Sequence, residues 1–372
     1  MRQPPHSFTA KTQCGAALLL FVIALVMAAS LALLKRLNQA PDQVQRDNFT
    51  MQQLKRARDA LRGYALSGID PVNTSVQPGR LPCPDYTLDG DSDPCITVSG
   101  HIQPGRLPWR TLGLEELRDA GNEPLWYVPA LEFTDGQTIN SNSTTTLRID
   151  AGARAEMAIV LSPGPVIAKQ KRPTGNLSAQ RDPSRYFEDI NALAATDYVT
   201  KPATPGSEFN DRLLALHLDQ FMPQLERRVL NELRNTLKNT LKSASALPNP
   251  AAINTTDCNN TLTEGLLPET INAATPCDVD VTKLPSYPPW FSAWQPLIWY
   301  VMSPGSTLTV GSATNLQALI FSPGAPMPGQ NRLSPTGASD LLEGTENTNG
   351  PDIYETPVNS ATNNDQLRIV AP

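Results

Sequence analysis

The feature that most constrains this chain is that it repeats itself. "AIVLSPGPVIAKQKRPTG" begins at Ala158, and "ALIFSPGAPMPGQNRLSPTG" begins at Ala318. Ser162, Pro163 and Gly164 match Ser322, Pro323 and Gly324 at an offset of 160; Gln170 and Arg172 match Gln330 and Arg332 at the same offset. Upstream, "PLWYV" at 124–128 answers "PLIWYV" at 296–301, and downstream "NDRLLAL" at 210–216 answers "NDQLRIV" at 364–370. "FEDINA" at 187–192 likewise answers "LEGTEN" at 342–347. Order is kept while the offset shrinks from 173 to 154, so the copies differ in loop length. A period of this size means two similar folding units in one chain.

Each copy is expected to open with a helix, continue through a cysteine-bounded loop and reach a Leu-Pro segment. In the first copy that segment is "GRLPWRTLGL" from Gly105, and in the second it is "KLPSYPPW" from Lys283. The second helix carries Leu225, Val229, Leu233, Leu237 and Leu241 at strict four-residue spacing, an apolar stripe on one face. Short runs such as "LWYVPALEF", "AEMAIVLS", "IWYVM" and "LQALIFS", bounded by Pro, Gly or Asn, read as strands. The 35 prolines and the low share of charged residues, 18%, suit a β-rich protein with long loops. The expected class is therefore α+β, with two duplicated heads, each a helix covering an antiparallel sheet.

Ahead of both copies lies "KTQCGAALLLFVIALVMAASLALLKR", residues 11–36. Residues 16–34 carry no charge. Nineteen residues at about 1.5 Å each reach roughly 28 Å, enough for a bilayer core of about 30 Å. A signal-peptide core is shorter, at about 7–15 residues. Beyond Pro41, Val44, Met51, Leu54, Leu61 and Ala65 place one apolar stripe on a continuing helix. A long helix is expected, apolar in its first half and amphipathic in its second.

These residues resemble the N-terminus of type IV pilins and pseudopilins. The resemblance implies a leader of residues 1–15 cut after Gly15, a mature chain starting at Ala16, a transmembrane helix over 16–34 and an amphipathic helix over 35–66. It implies a first β-rich head over 67–217, a second amphipathic helix over 218–247 and a second head over 248–372. The sequence departs from the major-pilin pattern, which has an aromatic first residue and a glutamate at the fifth. Those positions hold Ala16 and Leu20. Minor or tip subunits are therefore the better match. The implied partners are other pilin-like subunits, a prepilin peptidase and the bacterial inner membrane, with the heads in the periplasm or on an extracellular filament. The rival reading is a bitopic envelope protein that binds at the surface without entering a filament.

Loss of the leader would remove Cys14, one of five cysteines. The remaining four fall into two local pairs, Cys83 with Cys95 and Cys258 with Cys277, as expected of disulfides in an oxidising compartment. Between the first two lie Asp89, Asp91 and Asp93 at the 1, 3, 5 spacing of a calcium loop. Pro94 at the sixth position and Gly100 at the twelfth exclude an EF-hand, which leaves a looser calcium site as the only cofactor candidate.

Nothing supports an enzyme. His6, His101 and His217 are too few and scattered for a triad or metal centre, and Ser162 and Ser322 precede Pro-Gly turns rather than helices. Trp109 and Trp126 read as core packing. Arg227, Arg228, Arg234, Lys238 and Lys242 make the second helix basic, but Glu226 and Glu232 interrupt the patch. With a net charge of -6, nucleic acid is not an expected partner.

Overall fold

The computed structural model describes residues 14–68, 77–167, 170–193, 195–244, 246–272, 274–303, 305, 307–344, 347–348, 352–355, 360 and 362–371; within these, the side chains of 14–17, 31–41, 244 and 281 are not described. The chain divides into two units, residues 1–52 and 53–372.

Helix α1 (Cys14–Ser67) contributes to both units. The expected transmembrane span over 16–34 is not upheld. Among the described residues no helix is long and apolar enough to cross a membrane, and the described stretch of that region, 18–30, is short and exposed. The later part of α1 is amphipathic as its pattern requires. Leu54, Ala57, Leu61 and Ala65 are fully buried on one stripe, whereas Val44 is 58% exposed.

Two four-stranded antiparallel sheets carry the rest. The first contains β1 (Gly105–Arg106), β2 (Trp126–Pro129), β3 (Glu156–Ser162) and β4 (Arg212–His217), in that spatial order. Helix α2 (Leu218–Ala244) follows directly. The second sheet contains β5 (Glu264–Leu266), β6 (Trp299–Met302), β7 (Ala318–Ser322) and β8 (Gln366–Ala371), again in chain order. The registers coincide as well: Trp126 faces Leu161 and Trp299 faces Phe321, while Tyr127 faces Val160 and Tyr300 faces Ile320. A short parallel ribbon accompanies each sheet, Arg148–Ile149 with Asp197–Tyr198 in one and Leu308–Val310 with Ile353–Tyr354 in the other. Strands β3 and β7 lie inside their sheets and are buried along their whole length, which accounts for their nearly unbroken apolar runs.

The structure corrects one detail of the repeat. The segment equivalent to "GRLP" at 105–108 is "GLLP" at 265–268, not "KLPSYPPW". Leu107 N–H donates to the Leu125 carbonyl (3.0 Å), and Leu267 N–H donates to the Ile298 carbonyl (2.9 Å), the same step of the same ladder. The glycine is required by close approach: a Cβ at Gly105 would lie 2.7 Å from Pro84 Cβ, and one at Gly265 would collide with the Ala251 main-chain carbonyl oxygen. Tyr127 and Tyr300 complete the match, each donating its hydroxyl to a proline carbonyl, Pro82 (3.1 Å) and Pro248 (3.0 Å).

Helix α2 begins at Leu218, so Pro223 lies inside the helix rather than in its first turn. Phe221, Leu225, Val229, Leu233 and Leu237 are fully buried. The helix touches β4 of the first sheet and both β7 and β8 of the second. It is therefore shared by the two repeats, which belong to one compact unit.

Candidate functional site

The duplicated Ser-Pro-Gly turns sit in a duplicated polar frame. After β3, the Arg172 guanidinium donates to the carbonyls of Gly164 (2.7 Å) and Pro163 (3.0 Å) and to Gln170 Oε1 (3.1 Å). After β7, Arg332 donates to Gly324 (3.2 Å), Pro323 (2.8 Å) and Gln330 Oε1 (2.7 Å). The glutamine amides turn to Glu188 and Glu343, and the next acids follow: Asp211 accepts from Glu188 N–H (3.2 Å), Asp365 from Glu343 N–H (2.8 Å). Burial first, then the neighbouring glutamate, pushes the Asp211 carboxyl well above the carboxylate range. Burial and Glu343 do the same to Asp365. Each repeat thus buries an aspartate beside a glutamate as part of the same internal frame. The serines differ: the Ser162 hydroxyl donates to Asp119 (2.7 Å), whereas Ser322 meets Ser141 of the first repeat at 3.3 Å. Among the described residues neither hydroxyl bonds a histidine, and the His217 ring pairs with Glu156 at 2.6 Å.

The expected cysteine pairs are both disulfides, Cys83–Cys95 and Cys258–Cys277, with Cα separations of 5.1 and 5.5 Å. They do not occupy equivalent places. Cys83 and Cys95 both precede β1, whereas Cys258 and Cys277 straddle β5. The three aspartates are engaged separately. Asp93 Oδ2 accepts from the amides of Tyr86 (2.5 Å) and Thr87 (2.7 Å), Asp91 pairs with Arg110 (3.1 Å), and Asp89 Oδ1 accepts from Asp91 N–H (2.9 Å). Among the described residues no group of three metal-ligating side chains converges. Trp109 stacks under Arg110 at 5.1 Å, and Trp126 is fully buried against Tyr186 and Phe187.

Gly15 and Ala16 fall within the bounds of α1, but the surroundings of Ala16 and leader residues 1–13 lie outside the described residues. Residues 18–27 present an uncovered apolar surface. Leu18, Leu19, Leu20, Phe21, Val22, Ile23, Leu25, Val26 and Met27 are all 46–68% exposed. They span more than two helical turns, so every side of the helix is apolar there.

The acids were matched in the sequence, Glu188 with Glu343 and Asp211 with Asp365, but no sequence signal showed that they meet Gln170 and Gln330 or one another. Comparison with protein-family models, curated proteins and solved structures finds no match.

Proposed function

We propose that this chain is a non-enzymatic, pilin-like assembly subunit of a bacterial envelope filament, of the type IV pilus or type II secretion kind. The observation that carries the reading is the exposed apolar stretch at 18–27. A contiguous apolar surface of this kind marks an interaction site. Helices of the same type on other subunits offer a matching surface, since an all-round apolar helix is satisfied at the centre of a helical bundle. The leader-like segment ending at Gly15 supports processing by a prepilin peptidase before assembly. The two disulfides suit an oxidising compartment outside the cytoplasm.

Cross-linking tests the reading. Phe21→Cys in a Cys14→Ser background leaves one free thiol per chain, so treatment with a bismaleimide in cells is expected to trap a single covalent adduct, this chain joined to one thiol-bearing neighbour. N-terminal sequencing of the same material is expected to start at Ala16. A monomer that keeps Met1 rejects the proposal.

A further inference from the structure

A cleft of about 720 Å³ lies between the two repeats. That volume falls within the roughly 300–1,000 Å³ of small-ligand sites. Its walls come from the 141–155 loop, the start of α2, the turn after β7 and the residues leading into β8. Met222, Pro223, Met327 and Leu367 give it an apolar trough. Methionine thioethers adapt their shape to what they hold.

Two polar features mark the trough. The first is Glu226, only 1% exposed: Oε2 accepts from Gln366 Nε2 (3.1 Å), and among the described residues Oε1 has no hydrogen-bond partner within 3.5 Å, the Ser141 hydroxyl lying nearby. A buried acceptor left unmet is costly, so a donor entering the cleft is favoured. The second is a group of cations at the rim. Arg227 and Arg368 both line the cleft, and neither forms an ion pair among the described residues. Arg227 and Arg234 crowd Arg368 electrostatically. Arg154, by contrast, is taken by Asp219 at 2.8 Å. Unneutralised arginines at the mouth of an apolar trough favour an anion.

We propose that this cleft binds an extended peptide segment ending in a free carboxylate. Arg227 and Arg368 take the carboxylate, the trough takes an apolar side chain near the terminus, and the ionised Glu226 carboxylate accepts from a peptide N–H at Oε1. A fatty acid supplies the anion and the apolar chain but no donor for Glu226, which favours the peptide. The inference stands apart from the assembly reading, because it uses only residues of the 53–372 unit.

Fluorescence anisotropy on the full-length chain tests it, with a dye-labelled, leucine-rich pentapeptide as free acid and as C-terminal amide. Saturable binding of the acid is expected, with the amide about tenfold weaker for want of the charge-assisted bonds. Arg227→Glu, at an exposed position, is expected to erase the difference between acid and amide. Ala325→Trp, also exposed, is expected to block both by filling the cleft; circular dichroism of each variant confirms that it is folded. Equal binding of acid and amide overturns the proposal, as does wild-type binding by Arg227→Glu or an absence of saturable binding at millimolar peptide. Displacement of the dye by decanoate as effective as that by unlabelled peptide overturns it in favour of an acyl chain.

Discussion

Arg332 is 3% exposed at its side chain, yet it meets two main-chain carbonyls, Gln330 and, at 3.7 Å, Glu343. Its planar fork suits that geometry, and a lysine cannot reproduce it. Arg332→Met is expected to leave those carbonyls and Glu343 unmatched in the interior, costing about 3–5 kcal/mol in urea unfolding. Arg332→Lys is expected to recover only part of the loss. A second residue-scale expectation concerns Glu226, whose carboxyl burial pushes up to about 7 from 4.5. A group protonated in the fold but ionised in the unfolded chain stabilises fully below the unfolded value. That contribution falls as pH rises from 4.5 and is gone once pH has passed about 7. The difference amounts to about 3 kcal/mol across the window. Melting curves of the wild type and Glu226→Gln are expected to show a steeper decline with pH in the wild type between those values. Parallel curves would show that Glu226 is already ionised in the fold. The arginines and serines of the duplicated turns were legible in the sequence as matched letters. Glu226 was read only as a charge diluting a basic face, because nothing local indicates that a helix position will be sealed by a strand 140 residues away.

At the scale of elements, what the sequence revealed depended on length. Strands β3 and β7 hold seven and five buried residues and stood out as apolar runs. Strand β1 has two residues, too few to show any periodicity, and its partner in the second repeat was sought around "KLPSYPPW" instead of "GLLP". The cysteine pairs were found from local spacing, but the duplication was no guide to them, since the two bridges close different loops. The transmembrane expectation followed from hydropathy over 16–34, and the described residues contain no helix that meets it. Because the disulfides close separate segments, one ahead of β1 and one containing β5, removing either is expected to destabilise without disturbing the other repeat. Cys83→Ser with Cys95→Ser, and separately Cys258→Ser with Cys277→Ser, are each expected to cost about 3 kcal/mol on the chain-entropy account. Their effects are expected to add within about 0.5 kcal/mol in the quadruple variant, as for distant sites. A shortfall of several kcal/mol from additivity would mean that the bridges stabilise a common element.

At the scale of the molecule, the two repeats and their shared helix form one bulky body, residues 53–372, on a chain whose other unit carries an exposed apolar helix. The pilin resemblance implies that, in a filament, a glutamate near the start of one helix neutralises the α-amine of a neighbour. An unpaired charge in an apolar bundle costs several kcal/mol. This chain carries Leu20 at that position, so it brings no partner charge. Along a shaft, where every subunit must meet a neighbour's amine, such a chain would leave one amine unmet at each insertion. At the end of a filament it leaves none. A head of two repeats also stacks poorly in a shaft built from single-repeat subunits, and the tip imposes no such spacing. The assembly reading therefore places the chain at the tip, in low copy number, as a subunit that initiates growth. Immunogold labelling of sheared filaments is expected to mark one end, and deletion of the gene is expected to reduce filament number rather than filament length. The tip assignment fails if label is spaced regularly along the shaft. It also fails if Leu20→Glu raises incorporation without moving the label, since the missing charge would then limit affinity and not position.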